Sequence, residues 1–140
     1  LRSAWRGVRA ESGGGSSALR FASRDGHRAG VDTLLAAKAD VNAKNKDGWS
    51  ALMFASRDGH TAVVDTLLAA KADLNLKHED GWTALMFASD AGHTAVVEKL
   101  LAAKADVNAK NKDGWTALMF ASKYGHTAIV NILQAAGAQS

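Results

Sequence analysis

The sequence has no cysteine, no proline and a single tyrosine among its 140 residues. Without cysteine there can be no disulfide framework, thiol nucleophile, iron–sulfur cluster or cysteine-ligated zinc, and cysteine usage gives no sign of the redox compartment. No apolar run approaches the roughly 20 residues that cross a bilayer, so a soluble chain with no membrane partner is expected. The missing proline is less ordinary, because an average usage near 5% predicts about seven in this length. What remains, 47% hydrophobic and 22% charged residues, is globular material and excludes disorder by composition. A chain of this size forms one compact domain or a short repeat array, burying roughly two-thirds of its unfolded surface.

The formal charge of +3 is unevenly placed: residues 1–39 hold seven Lys or Arg against three Asp or Glu, leaving residues 40–140 at −1. Binding to nucleic acid by counterion release needs cations converging on phosphates. Here Lys and Asp interleave along the body of the chain, so charge alone gives no such signature. Residues 1–24 contain Arg2, Arg6, Arg9, Arg20 and Arg24, several Ser and one acid, a composition shared with organelle transit peptides. The repeat structure of the chain supports a different reading of that segment.

At a spacing of 33 residues, Asp40-Val41-Asn42-Ala43, Asp73-Leu74-Asn75-Leu76 and Asp106-Val107-Asn108-Ala109 superimpose. Each is followed by Asp-Gly-Trp and then Ala-Leu-Met-Phe-Ala-Ser. Residues 40–72 and 106–138 differ at only eight of 33 positions. A fixed period of this length is the signature of stacked supersecondary units. A further copy begins at Gly15, with Ala18-Leu19, Phe21-Ala22-Ser23, Asp25-Gly26-His27 and Leu34 to Ala39 in register. Set against Leu67 to Leu85, the stretch Leu1 to Leu19 keeps Leu1, Ala4, Gly15, Ala18 and Leu19, with Val8 where Leu74 stands. Residues 1–14 therefore read as the eroded end of a preceding repeat or a flexible N-terminal segment, which disfavours a transit signal at 1–24. A chain that starts with Leu is expected to be a fragment or a processed product. The units expected are 15–39, 40–72, 73–105 and 106–140, the last a C-terminal cap.

Within a unit, Asp80-Gly81-Trp82 is a turn signal, Gly supplying a positive φ. Thr83 can accept from the orphan amides of a helix starting behind it, which stabilises by about 1 kcal/mol. Leu85, Met86 and Ala88, with Phe87 beside them, make a short helix apolar on most faces, and Gly92 suits a left-handed cap that ends it. Thr94 then opens a second helix carrying Val96, Val97, Leu100 and Leu101 at helical spacing. So small a helix pair cannot bury its own apolar surface, and stacking of neighbours supplies the rest.

The period, the turn before each first helix, the Gly-His between helices, the paired leucines and the Ala-Asp-Val-Asn linker together resemble ankyrin repeats, firmly over residues 15–140. The resemblance implies an all-α solenoid of helix-turn-helix units joined by β-turn or hairpin-like loops, intracellular and most simply cytoplasmic. Where the family has Thr-Pro-Leu-His, this chain has Ser50-Ala51-Leu52-Met53, Thr83-Ala84-Leu85-Met86 and Thr116-Ala117-Leu118-Met119. The missing proline is thus placed at Ala18, Ala51, Ala84 and Ala117, where it would be preorganised for a first helical turn. One inherited substitution copied with the repeat favours duplication of an unusual repeat over construction from the family average. Lys38, Lys71 and Lys104 stand where the family has Gly, and only Gly137 keeps it.

Catalytic and metal chemistry is not indicated. His27, His60, His93 and His126 form a column one unit apart rather than a cluster, and the resemblance implies a loop-fastening role for them. His78, in Lys77-His78-Glu79-Asp80, reads as part of a solvated loop. Ser56, Asp58 and His60 recur in equivalent copies, so nothing singles out one set as a triad. Gly13-Gly14-Gly15 lacks the Gly-Lys-Ser/Thr ending of a phosphate loop. No enzyme activity, metal or cofactor is expected.

A binding surface is the remaining reading. The resemblance implies a concave face lined by turn tips and exposed first-helix positions that engages a protein partner. Carried over by position, these are Lys46, Asp47, Trp49, Arg57 and Asp58; then Glu79, Asp80, Trp82, Asp90 and Ala91; then Lys112, Asp113, Trp115, Lys123 and Tyr124. The pairs 57–58, 90–91 and 123–124 differ while the flanking Ser and Gly-His stay fixed. The Trp column offers either rigid anchors of the kind found at binding hot spots or a stack over each following turn that stiffens the array. Two other readings stand beside this one. The near-identical units, with Asn45 to Trp49 returning as Asn111 to Trp115, fit a consensus-like or recently duplicated scaffold with no evolved partner. Trp stacking beside Lys44, Lys46, Lys110 and Lys112 would suit nucleic acid or a nucleotide, but Asp47, Asp80 and Asp113 adjoin the same indoles and disfavour it. Gln134 and Asn131 give the last unit a polar outer face, while Ile132 replaces Thr66 and Lys99. A monomer is expected, with weak end-to-end self-association if that incomplete cap leaves apolar surface open.

Overall fold

A computed structural model describes residues 15–138. The segment 1–14, expected as an eroded repeat or flexible terminus, lies outside the described residues, as does most of the transit-like stretch. Its remainder is the first helix, with Ala18, Leu19 and Ala22 wholly buried. Among the described residues there are eight helices and no strands. They are α1 (Gly15–Arg24), α2 (Arg28–Ala36), α3 (Ala51–Arg57), α4 (Thr61–Ala69), α5 (Ala84–Ala91), α6 (Thr94–Ala102), α7 (Ala117–Lys123) and α8 (Thr127–Ala135).

The helices pair in order, and like packs on like: α1, α3, α5 and α7 form one layer, while α2, α4, α6 and α8 form another. Between the layers runs one continuous core in which each pair repeats the same pattern. In the third pair it comprises Leu85, Met86, Ala88, Val96, Val97 and Leu100. Helices of seven to ten residues gain little from intrinsic propensity, so this packing is what holds them. Side-chain capping fixes where α3, α5 and α7 start. Thr83 is extended, and its hydroxyl accepts from the Met86 amide at 3.3 Å. Ser50 and Thr116 do the same for Met53 and Met119, at 3.4 and 3.3 Å.

The second helices end less comfortably. Lys38, Lys71 and Lys104, where the resembling family has Gly, hold φ of 69°, 68° and 75°, the left-handed conformation. The backbone closes a Schellman motif there: the Lys71 amide donates to the Leu68 carbonyl at 3.0 Å and the Ala72 amide to Leu67 at 3.0 Å. A β-carbon in this conformation costs roughly 1–2 kcal/mol per residue.

The end of the array shows a departure from expectation. Met53 and Met86 are each 1% exposed because the next pair covers them, whereas Met119, with no pair beyond it, is 38% exposed. Gln134 and Asn131 face solvent as a cap requires, but Ile132 is partly buried against the core. The open apolar surface therefore comes chiefly from an unchanged residue, Met119, and from Tyr124 at 52%, rather than from the substituted Ile132.

Relief of the left-handed lysines is a direct test of this geometry. Lys71→Gly is expected to raise stability by about 1 kcal/mol, since Gly's gain in the left-handed region exceeds its greater unfolded-state entropy. Chemical denaturation should show a higher midpoint at unchanged slope.

Candidate functional site: an aromatic ladder and its rim

Each Asp-Gly-Trp turn leads into a first helix whose fourth residue is Phe, so Trp and Phe recur five positions apart. The fold turns this spacing into a ladder. Trp49 stacks on Phe54 of its own pair at 4.7 Å between ring centroids and packs on Phe87 of the next at 4.4 Å. Trp82 lies against Phe87 at 4.9 Å and Phe120 at 4.2 Å. Trp115 ends the series on Phe120 at 5.1 Å. The indoles are half-buried, and the chief contact of Trp49 and of Trp82 across the pair boundary is the next pair's Phe. The next turn joins in once, where His78 meets Trp49 edge-on at 5.6 Å.

The turn that aims each indole is itself braced. Asn45 Oδ1 accepts from the amides of Asp47 and Trp49, both at 2.9 Å, and Asn111 does the same for Asp113 and Trp115. In the middle turn His78 takes this place, its Nδ1 accepting from the Trp82 amide at 3.1 Å. Its ring is edge-on to Phe87 at 5.2 Å as well as to Trp49. His78 is therefore half-buried in the ladder and not a solvated loop residue, a correction to the sequence reading. Loss of hydration pushes its pKa below the ordinary histidine value, although Asp80 and Glu79 pull the other way.

Successive turns are tied directly: the Glu79 amide donates to the Asp47 carbonyl at 3.1 Å, and the Lys112 amide to Asp80 at 3.0 Å. Lys44 Nζ donates to the Lys77 carbonyl at 2.7 Å and Lys77 Nζ to the Lys110 carbonyl at 2.9 Å. Farther along the linker, Asn42 Oδ1 accepts from the Asp73 amide, and Asn75 Oδ1 from Asp106 at 3.1 Å. The sequence shows these Asn and Lys recurring, but not that they bond across 31 and 33 residues.

Three histidines of the column, His60, His93 and His126, fasten one unit to the preceding one, as the resemblance implied. His60 Nε2 lies 2.9 Å from the Arg24 carbonyl, His93 the same distance from Arg57, and His126 3.1 Å from Asp90. A carbonyl can only accept, so each Nε2 carries its proton. Gly59 has φ +75°, and a β-carbon there would sit 2.7 Å from the His93 ring, so conformation and space both require glycine. Ser56, Asp58 and His60 do not converge. The Ser56 hydroxyl is buried without a hydrogen-bond partner, Asp58 is clasped by Arg57 at 2.8 and 3.1 Å, and His60 faces Arg24. Among the described residues no three His, Asp or Glu are placed to hold a metal ion.

Over the ladder lies a row of variable charges. The Arg57 guanidinium sits 5.0 Å from the Trp49 ring centre, and Lys123 Nζ 5.2 Å from Trp115. Asp90 holds the equivalent position between them, its carboxyl pushed above the usual range by burial despite His126 and Lys123. The hydrogen bond from Arg57 holds Asp58 below that range. Lys46, Asp47, Glu79, Asp80, Lys112 and Asp113 are exposed at the turn tips, and Ala91, Lys123 and Tyr124 at the helix ends. Of the candidate charges, Arg57 and Lys123 thus lie directly over indoles of the ladder.

The chain matches the family pattern described as ankyrin repeats (3 copies) over residues 19–111 and again over 63–140. It belongs to the ankyrin-repeat family, whose members are generally protein-protein interaction modules. Comparison with curated proteins gave no match. No helix among the described residues is long and apolar enough to cross a membrane.

Two measurements probe the ladder. Trp82→Ala removes a ring held between two phenyls and is expected to cost about 2–4 kcal/mol, read as a drop in the denaturation midpoint. His78 has its folded pKa below its unfolded one, so its contribution is full above the unfolded value of about 6.5 and is lost as pH falls through the folded value. His78→Asn, matching Asn45 and Asn111, is expected to flatten the loss of stability between pH 7 and pH 5. An identical pH profile in the variant would show that His78 carries none of it.

Proposed function

We propose that this chain is a non-catalytic array, with units 15–39, 40–72, 73–105 and 106–140, that binds a protein partner across the concave face formed by its ladder and turn tips. The observation that carries this reading is the row at Arg57-Asp58, Asp90-Ala91 and Lys123-Tyr124. These positions vary between closely similar units, and two of them, Arg57 and Lys123, stand over indoles of the ladder. In this reading the Trp residues hold the floor rigid and offer their remaining exposed edges, while the charges choose the partner. A rigid floor lowers the ordering cost of association, and a row of alternating sign rejects partners with a mismatched pattern.

Nucleic acid fits less well. Lys44, one of the lysines beside the indoles, spends its ammonium on a backbone carbonyl, and carboxylates stand at every turn tip. A scaffold with no evolved partner is the second reading, favoured by the identity of residues 45–49 with 111–115.

The test is retention of proteins from an extract on the immobilised full chain and on Arg57→Glu/Lys123→Glu. The double variant should stay folded, losing about 1–3 kcal/mol with the two cation–π contacts and the Arg57–Asp58 pair. A protein held by the parent at physiological salt and lost by the variant supports the proposal. Equal retention by both overturns the assignment to this row, and retention of nothing by either supports the partnerless scaffold.

A further inference from the structure

The ladder lacks one rung. Trp49 fills the space between Phe54 and Phe87, and Trp82 that between Phe87 and Phe120. One period earlier, between Phe21 and Phe54, the corresponding residue is Ser16. Its hydroxyl accepts from the Asp40 amide at 3.1 Å and supplies no ring. An open cavity of about 700 Å³ occupies the place, bordered by Phe21 and Phe54. Phe21 is consequently 39% exposed.

A second departure faces the same cavity. Where later pairs have Met53, Met86 and Met119, this pair has Arg20, whose guanidinium donates to the Ala43 carbonyl at 3.1 Å and to Ser17 Oγ at 3.2 Å. Arg24 lies over the Phe21 ring at 4.8 Å. With Lys44 and Lys46 these make four cations lining the cavity against one lining carboxylate, Asp40, although Arg20 and Lys44 are held on carbonyls and Arg24 lies 3.6 Å from Asp25. The slot is thus shaped by phenyl rings that elsewhere receive an indole, and it is positively charged at its edge.

We propose that this slot receives an aromatic side chain, flanked by carboxylates, from an acidic peptide segment of the protein partner. The proposal rests on the concave-face reading and names the chemistry one end of that face selects. The ring would lie between Phe21 and Phe54 as Trp82 lies, tilted, between Phe87 and Phe120. The flanking carboxylates would meet Lys46 and Arg24 at the mouth. A nucleotide has the ring and the negative charge, but Arg20 and Lys44 are drawn away onto carbonyls and Asp40 would face the phosphate.

The experiment titrates the full chain with the blocked peptide Glu-Glu-Trp-Glu-Glu, following the Phe21 and Phe54 ring resonances by NMR. Saturable shifts are expected, with affinity at least about tenfold lower when Ala replaces Trp in the peptide. Replacing its Glu by Lys, or raising salt, should weaken binding further. Ser16→Trp supplies the missing rung from within and should abolish the shifts. Phe21→Ala with Lys46→Glu, at exposed positions, should also lose them, and serves if Ser16→Trp does not fold.

Unchanged binding by Ser16→Trp, or by Phe21→Ala with Lys46→Glu, overturns the slot. If the peptide instead perturbs Arg57, Lys123 and Tyr124, the concave-face reading survives without it. The slot assignment also falls if adenosine monophosphate binds there more tightly than the peptide.

Discussion

Two helices of seven to ten residues cannot close a core around themselves, so each pair depends on the surface its neighbour offers. The aromatic ladder is where that dependence is most concentrated. Phe87 lies between Trp49 and Trp82, and Trp82 between Phe87 and Phe120, so no ring in the middle of the array belongs to one pair alone. Removing one ring loosens two interfaces. The histidines, the linker asparagines and Lys44 repeat this logic in polar form, each satisfying a backbone group one unit away.

Much of this was legible because local chemistry repeats with the period. Thr83 as a cap and Gly92 at φ 83° follow from residue type and position within a unit, and Lys71 at φ 68° from position alone, against its residue type. What the period could not show is which neighbour a side chain meets. Trp and Phe five apart were visible as a spacing, but the contact from Trp49 to Phe87 joins residues 38 apart and exists only once the pairs are stacked. His78 read as part of a solvated loop; only its surroundings reveal that an imidazole Nδ1 can replace an amide oxygen while adding an edge-on ring. The C-terminal cap misled for a related reason. Comparing copies draws attention to residues that change, whereas the end of an array exposes one that does not, and Met119 is that residue.

The same distinction orders the surface. Positions that fasten one pair to the next are fixed by two constraints at once, their own conformation and their neighbour's shape. Gly59, with its positive φ and the His93 ring against it, shows both. Positions over the ladder are bound by neither. Arg57 and Lys123 rest on indole faces at about 5 Å, a contact that any cation can make and that contributes about 0.5–1 kcal/mol. Asp90 occupies the same site without the contact, at the cost of a partly dehydrated carboxyl. A site that tolerates either sign of charge is not held by the fold.

Ser16 extends that argument from the rim to the floor. A repeat that loses its indole uncovers two phenyl faces, and a chain selected only for stability would close the gap with another apolar side chain. Here the neighbouring substitution, Arg20 for methionine, goes the other way. It brings a guanidinium to the gap and anchors it on the Ala43 carbonyl, where burial lowers its pKa from the usual arginine value. Two departures facing one cavity, one removing apolar cover and the other adding charge, lie outside what the stacking of pairs requires. They make the first pair the place where the array's internal chemistry, a ring between two rings, is turned outward.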